Sequence, residues 1–319
     1  MTGSYRADLN IAYNNDLELR HLRYFIAVAT ELHFGRAAEK LHIAQPPLSH
    51  QIRQLETELG FELFTRTKRS VMLTPAGQAF LIQVNQIFQQ LEQAIEIGRK
   101  TSRGELGQIS IGFVGSATYN ILPVLLQQFR DRYPEVQIEL HELTTDRQLI
   151  WLREGKIDVG LMRPPISEPD VTSEIVFEEA LIVALPANHP LATVDSIDLR
   201  LLAREPFILF PRQLAPGLYD PIITICQAAG FSPVVVQECI QMQTTISLVS
   251  ANLGVSIVPE SIQQVQRSGV VYKPIQDLTP IGANQLLRLA TISIVWRTND
   301  DSPTVSRLRE IVQGLEVKF

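Results

Sequence analysis

The chain has 319 residues, 45% hydrophobic and 19% charged, a composition that fits a globular fold and excludes a disordered or fibrous one. At about 150 residues per domain the length predicts roughly two domains and a linker. No run approaches the ~20 apolar residues of a membrane span, and the start MTGSYRADLNIAYNNDLELR lacks a signal-like apolar stretch, so a cytoplasmic protein without a membrane partner is expected. Cys226 and Cys239 match neither a disulfide framework nor a zinc spacing and read as buried free thiols. The net charge of -6 argues against nucleic acid only until it is divided. Residues 1–103 hold 12 Lys+Arg against 10 Asp+Glu, and residues 104–319 hold 16 against 24. A basic run, Arg66-Thr67-Lys68-Arg69, sits in the first part, and such asymmetry can mark a nucleic-acid module joined to an acidic one.

Leu22, Phe25, Ile26 and Ala29 share one face of a helix predicted from Leu19 to Thr30. A second helix, Phe34 to Leu41, carries Ala37, Ala38 and Leu41. A third opens at Gln45-Pro46-Pro47, since proline is tolerated in a first turn, and stops at Gly60. Its apolar stripe, Leu48, Ile52, Leu55 and Leu59, leaves Pro46, Ser49, His50, Arg53 and Thr57 on the opposite face. Two short helices joined by a tight turn, the second polar near its N-terminus, are the helix-turn-helix arrangement that enters the DNA major groove. Gln45 suits adenine, Arg53 suits guanine, and Ser49 suits a phosphate or base edge. An ordinary surface helix with its polar side outward would show the same pattern.

Phe61 to Phe64 and Val71 to Leu73 predict two short strands around a basic turn, a wing with Arg66, Lys68 and Arg69 at its tip. Thr74 then offers an N-cap and Pro75 a first-turn residue for a helix reaching about Lys100, roughly 39 Å long. Phe80, Val84, Ile87, Leu91 and Ala94 recur with the period of a coiled coil. A helix that long outreaches a small winged domain, which favours the helix of another subunit as its partner. Residues 102–107 read as a hinge.

His33-Phe34-Gly35-Arg36-Ala37-Ala38-Glu39-Lys40-Leu41, continued by Ile43-Ala44-Gln45-Pro46-Pro47-Leu48-Ser49-His50-Gln51-Ile52, resembles the LysR-type transcriptional regulators. So do Leu63-Phe64-Thr65-Arg66, Leu73-Thr74-Pro75-Ala76-Gly77 and the order of parts to the C-terminus. The resemblance implies a mainly α winged helix-turn-helix, a long linker helix for dimerisation, and a bilobed α/β effector-binding domain like the periplasmic solute-binding proteins. It further implies a homotetramer, a dimer of dimers on double-stranded promoter DNA, acting on RNA polymerase indirectly. By similarity Gln45, Pro46, Ser49, His50 and Arg53 are groove contacts and Arg66 a wing contact. Many relatives carry arginine where His50 stands, and a neutral imidazole attracts phosphate less.

The expected organisation is a variable extension over 1–16, a DNA-binding domain over 17–74, a linker helix over 75–103 and an effector domain over 106–319. Within the last, strands and helices alternate, Ile109 to Phe113, Ile121 to Tyr133, Val136 to Glu142, Asp146 to Glu154 and Val159 to Met162, which is α/β patterning. Further strands are predicted at Leu181 to Leu185, Phe207 to Phe210, Val234 to Gln237, Val255 to Val258 and Thr291 to Trp296. The resemblance implies two chain crossings, giving lobe I as 106–179 with 283–319 and lobe II as 180–282.

Open α/β sheets bind ligands beyond the carboxyl ends of their strands. There stand Ser116 and Thr118, then Thr144 and Thr145, then Arg163 and Arg212; in family terms these, with Gln241 and Met242, look like the effector pocket. Hydroxyls and two arginines suggest a small organic anion, a carboxylate, with no cofactor and no metal. The plain alternatives are helix caps, favoured for Thr145, and for Arg163 an ion pair with Glu142 or Asp158. No dinucleotide fingerprint, phosphate loop or nucleophile elbow supports an enzyme. His21, His33, His42 and His50 lack metal-ligand spacing and read as surface or groove-facing imidazoles. A solute-binding-like protein without a promoter role would leave the helix-turn-helix unexplained.

Overall fold

Helix α1 (Leu19–Glu31) starts from a capping box in which Glu18 and His21 serve each other's backbone, satisfying donors that a helix N-terminus leaves orphaned. His21 is therefore buried, which corrects its expected surface placement. The chain turns through Leu32 with φ 47° into α2 (Phe34–Lys40), capped by the His33 imidazole. Helix α3 (Gln45–Leu59) has prolines in its first turn and ends at Gly60, whose φ of 77° is the left-handed conformation glycine adopts without strain. Computed as a structural model, the protein is described over residues 17–67, 70–276 and 290–315. The expected extension over 1–16, as well as Lys68 and Arg69, lies outside the described residues.

Leu48, Ile52 and Leu55 of α3 are fully buried, each contributing about 1.5–3 kcal/mol through its removal from water. They pack with Leu22, Phe25 and Val28 of α1 and with Phe34 and Ala37 of α2. Phe25 meets Phe64 and Phe80 with ring centroids 5.5 and 5.3 Å apart. Strands β1 (Phe64–Arg66) and β2 (Val71–Leu73) form the antiparallel wing. The first wing strand begins at Phe64, later than expected, and the Leu63 N–H before it donates to the Glu56 carboxylate at 2.9 Å.

Helix α4 (Pro75–Ser102) is about 42 Å long at 1.5 Å per residue. The Thr74 hydroxyl accepts the Gly77 N–H at 2.8 Å, the predicted cap. A Cβ at Gly77 would stand 2.1 Å from the Leu63 carbonyl oxygen, so only glycine allows this approach. Val84 is buried, but Ile82, Ile87, Ile95 and Ile97 are exposed. The helix takes Ser102 of the expected hinge and the next strand takes Leu106 and Gly107, leaving only Arg103 to Glu105 between them.

The chain divides into two units, residues 1–98 and 99–319. The second contains two lobes. Lobe I is a five-stranded sheet of order β4-β3-β5-β12-β6, built from β3 (Leu106–Phe113), β4 (Glu135–Glu142), β5 (Val159–Met162), β6 (Val171–Glu179) and β12 (Ala290–Arg297). Strands β4 and β5 run parallel to β3, whereas β12 is antiparallel to β5 and β6. Its helices are α5 (Ile121–Arg132), α6 (Thr145–Arg153) and α9 (Pro303–Gln313). Lobe II has β7 (Leu181–Pro186) between β10 (Ser256–Pro259) and β11 (Val270–Pro274), and a parallel pair, β8 (Pro206–Leu209) with β9 (Val234–Glu238). Helices α7 (Pro216–Ala228) and α8 (Met242–Ser250) cover it.

The first crossing falls between Glu179 and Leu181 and the second between β11 and β12; the expected boundary at 283 lies outside the described residues. Strands β6 and β11 and helices α7, α8 and α9 were not expected from the sequence. Cys226 and Cys239 are buried free thiols in the lobe II core. Burial pushes the Cys226 thiol up to about 12 and raises that of Cys239 as well, so neither presents a thiolate at neutral pH. Ellman's reagent at pH 8 should accordingly titrate fewer than 0.2 thiols per folded chain, on the order expected for buried neutral cysteines, and both after denaturation. Rapid native labelling would contradict that burial.

Candidate functional site

In the first unit, the apolar stripe of α3 turns inward and its opposite face outward. Gln45, Pro46, His50 and Arg53 are exposed and Ser49 is half-buried, so these residues line the outer side and N-terminal end of one helix. Gln45 is the first helical residue, where a side chain and backbone N–H groups project together, the geometry for a groove edge.

Arg66 is placed differently from expectation. It lies within β1 opposite Val71 rather than at the wing tip, and its guanidinium pairs with Glu56 at 2.5 Å while covering the Phe34 ring at 4.9 Å. The same Glu56 carboxylate accepts the N–H groups of Leu63 at 2.9 Å and Phe64 at 3.1 Å. Arg66 thus joins the wing to α3 and α2. Sequence reasoning passed over Glu56 because a glutamate on a helix reads as a solvated face.

In the second unit, a cavity of about 160 Å³ opens beyond the carboxyl ends of β3, β4 and β5. An engineered cavity of about 150 Å³ holds benzene, so the space suits one ring or a short branched chain. Ser116, Thr144 and Arg163 line it, as do Thr145, Gln241 and Met242; Phe210, Leu214 and Leu218 supply apolar wall. Ser116 lies in the 3-10 turn Gly115–Tyr119 that follows β3. Thr144 is the N-cap of α6 but makes no side-chain capping bond, which leaves its hydroxyl to the cavity. Thr145 is the first helical residue, so the cap expected of it belongs by position to Thr144.

Arg163 follows β5 and is buried, 5% exposed. One Nη donates to the Ser116 hydroxyl at 2.9 Å and the other to the Thr291 carbonyl of β12 at 3.2 Å. Burial lowers its pKa to about 10, opposed by the charge of Glu179. Burial likewise raises Glu179, held in check by the Ser261 N–H at 2.7 Å, by Arg163 and by Asn120 at 3.0 Å. The charge that acts on Arg163 is thus that of Glu179, at longer range than an ion pair, rather than Glu142 or Asp158, and Asp158 instead meets Arg297 at 3.3 Å.

Two expected pocket residues fall outside the lining. The Thr118 hydroxyl donates to the Gly115 carbonyl at 2.6 Å and is spent on its own turn. Arg212 points to the surface, where Asp220 of α7 binds it through two contacts of 2.7 and 3.1 Å. One arginine, not two, faces the cavity. The sequence reading also missed Glu142, the last residue of β4, which lines it. Its position at a strand's carboxyl end was a usable signal.

A DNA-facing helix with a braced wing, and a separate two-lobed α/β unit with a charged cavity at its strand ends, define a ligand-responsive DNA-binding regulator. Residues 19–78 match the bacterial regulatory helix-turn-helix proteins of the lysR family, and residues 102–315 match the LysR substrate binding domain. The chain belongs to the LysR family of DNA-binding transcriptional regulators. It is 44% identical over 295 residues to the HTH-type transcriptional regulator AlsR of Bacillus subtilis (strain 168), covering 92% of this chain and 95% of AlsR. Full-length CbnR matches with TM-score 0.82 at 29% identity, over 93% of this chain and all of CbnR. CbnR complexed with its target DNA matches at 0.79 and 28%, over 93% of this chain and 99% of that one. The BenM effector binding domain with benzoate matches at 0.57 and 31%, over 65% of this chain and 91% of that domain.

Removing Arg163 takes away its hydrogen bonds to Ser116 and Thr291 and the charge that favours the buried Glu179 carboxylate, a loss of about 1–3 kcal/mol for hydrogen bonds to a charged group. Arg163→Met should lower the stability of the C-terminal unit by about that amount, and Glu179→Gln added to it should restore at least ~1 kcal/mol. Urea denaturation followed by circular dichroism measures both; additive losses would show that the two side chains are not coupled.

Proposed function

We propose that this regulator reads promoter DNA through Gln45, Pro46, Ser49, His50 and Arg53 of α3, and answers to a small organic anion held by Arg163, Ser116 and Thr144. The observation that supports the ligand class is the cavity's single buried guanidinium beside two hydroxyls, a donor set for one carboxylate. CbnR crystallised with its target DNA and BenM's effector domain with benzoate support the same division of labour. The reading helix lies in a part of the chain with little net charge, so affinity rests on a few placed side chains, on the basic run of the wing sequence, and on several copies.

The exposed isoleucines of α4 are suited to the helix of a second subunit, which supports a dimer, and the family resemblance adds the dimer of dimers. Ligand binding then acts as a population shift: the lobe arrangement that binds the anion better gains population, changes how the assembly holds its two half-sites, and alters polymerase recruitment.

Gel shift with DNA upstream of the chain's own gene should show sequence-specific retention that Arg53→Ala weakens about 5- to 100-fold, the range for loss of one good base contact. Retention unchanged by that substitution would remove α3 from the interface. In a thermal-shift screen of small monocarboxylic acids, benzoate among them, at least one should raise the melting temperature. Thr144→Val, which keeps the fold, should at least halve that response; a screen without any responder would overturn the anion reading.

A further inference from the structure

The charged side chains lining the cavity are two, Arg163 and Glu142, and they differ in how they are satisfied. Arg163 is buried and hydrogen-bonded on both sides. The Glu142 side chain has no hydrogen bond or ion pair among the described residues, although it is exposed enough to recruit one. Its Oε1 lies over Gly115, 2.6 Å from the point a Cβ would occupy, and Oε1 of Gln241 stands 3.3 Å from the same point. Neither group is engaged elsewhere: Gln241 is the N-cap residue of α8 but its side chain makes no capping bond. Two acceptor oxygens, one of them charged and both open to solvent, therefore converge on one side of the cavity.

The next residue along the turn, Ser116, carries the Arg163 contact. Consecutive Cα atoms are about 3.8 Å apart, so the positive and the negative ends of the cavity are neighbours along a single turn. A ligand whose carboxylate reaches Arg163 presents its adjoining atoms to Glu142 and Gln241. A second carboxylate there would meet a like charge, softened by solvent because Glu142 and Gln241 are exposed; a hydroxyl or ammonium would meet acceptors whose alternative partner is water. The wall on the remaining sides is apolar, from Leu143, Phe210, Leu214, Leu218 and Met242.

We infer that Glu142 and Gln241 make the pocket selective for a monocarboxylic acid that carries a hydrogen-bond donor, hydroxyl or ammonium, close to its carboxylate and a small apolar body beyond. This rests on the anion-binding reading of the Arg163 cavity and narrows it from anions in general to donor-bearing monoacids, excluding dicarboxylates. Glu142 is thereby a specificity-determining residue.

A matched series with one isobutyl body tests it on the full chain by calorimetric titration and thermal shift. The members are 4-methylpentanoate, 2-hydroxy-4-methylpentanoate, leucine and isobutylmalonate, which differ only in carrying hydrogen, hydroxyl, ammonium or carboxylate beside the acid group. The hydroxy or the amino acid should bind at least about tenfold more tightly than 4-methylpentanoate, with isobutylmalonate weakest, as a donor meeting an otherwise unpaired acceptor predicts. Which of the two donors binds better identifies the source as a hydroxy acid or an amino acid. Glu142→Gln should compress the donor advantage to less than about threefold and strengthen isobutylmalonate by at least about tenfold. If 4-methylpentanoate or isobutylmalonate binds the wild-type chain as well as the donor-bearing acids, or if Glu142→Gln leaves the ranking unchanged, the selectivity is overturned while the Arg163 site stands. Binding of none of the four, or binding indifferent to Thr144→Val, overturns the Arg163 site and the inference with it.

Discussion

A guanidinium buried at the carboxyl end of β5 organises the sensing unit. Arg163 reaches Ser116 in the turn after β3 and the Thr291 carbonyl on β12, and faces Glu179 at the end of β6. Those contacts fall on both strands that adjoin the crossings between lobes, since β6 ends one residue before the first crossing finishes and β12 follows the second. Burying a charge costs several kcal/mol unless paired and hydrogen-bonded. The sheet order, with β12 inserted antiparallel between β5 and β6, brings those partners within reach. The same arginine also lines the cavity, so the group that holds the strand ends together is the group a ligand would meet.

The DNA-reading unit uses the same device with the opposite sign. Glu56, on the inner flank of α3, gathers two backbone N–H groups and the Arg66 guanidinium, and so fixes where the wing leaves the helix. Hydrogen bonds to a charged acceptor contribute more than neutral ones, about 1.5–3 kcal/mol each. The outward face of α3 is then set by geometry on its inward side. Arg66 belongs to this brace, which is why a residue that reads as a phosphate contact in a basic run is found folded back onto Phe34.

Much of the first unit was legible because its helices carry strong local signals: prolines in a first turn, Gly60 at a stop, Thr74 before Pro75, and an apolar stripe of period near 3.6. The second unit was legible where strands are buried on both faces, as in β5, β7 and β10, whose residues form continuous apolar runs. Strand β6 was missed because it is the sheet's edge: Glu174, Glu178 and Glu179 interrupt it and its burial alternates, so its pattern resembles a loop. Helix α7 was missed because Pro216, Gly217 and Pro221 within it are read as breakers. Gly217 is required there, since a Cβ would fall 1.9 Å from the Pro164 carbonyl oxygen.

By itself the sequence determined the elements of the first unit and the buried strands of the second, the family, and the residues on the outer face of α3, because each depends on neighbours within a few positions or on contiguous motifs. It also marked the carboxyl ends of strands as the place to look, which was enough to single out Ser116, Thr144 and Arg163. Only the tertiary structure decided which charges meet. Arg163 and Arg212 look alike in the chain, yet one is enclosed by strands far apart in sequence and the other is held outward by Asp220 in the helix that follows. Glu142 and Gln241 are far apart in the chain, and although each stands where a pocket residue could, nothing local says that their side chains converge on Gly115. An ion pair or a pocket wall depends on distance in space, which the order of strands in the sheet sets and the order of residues does not.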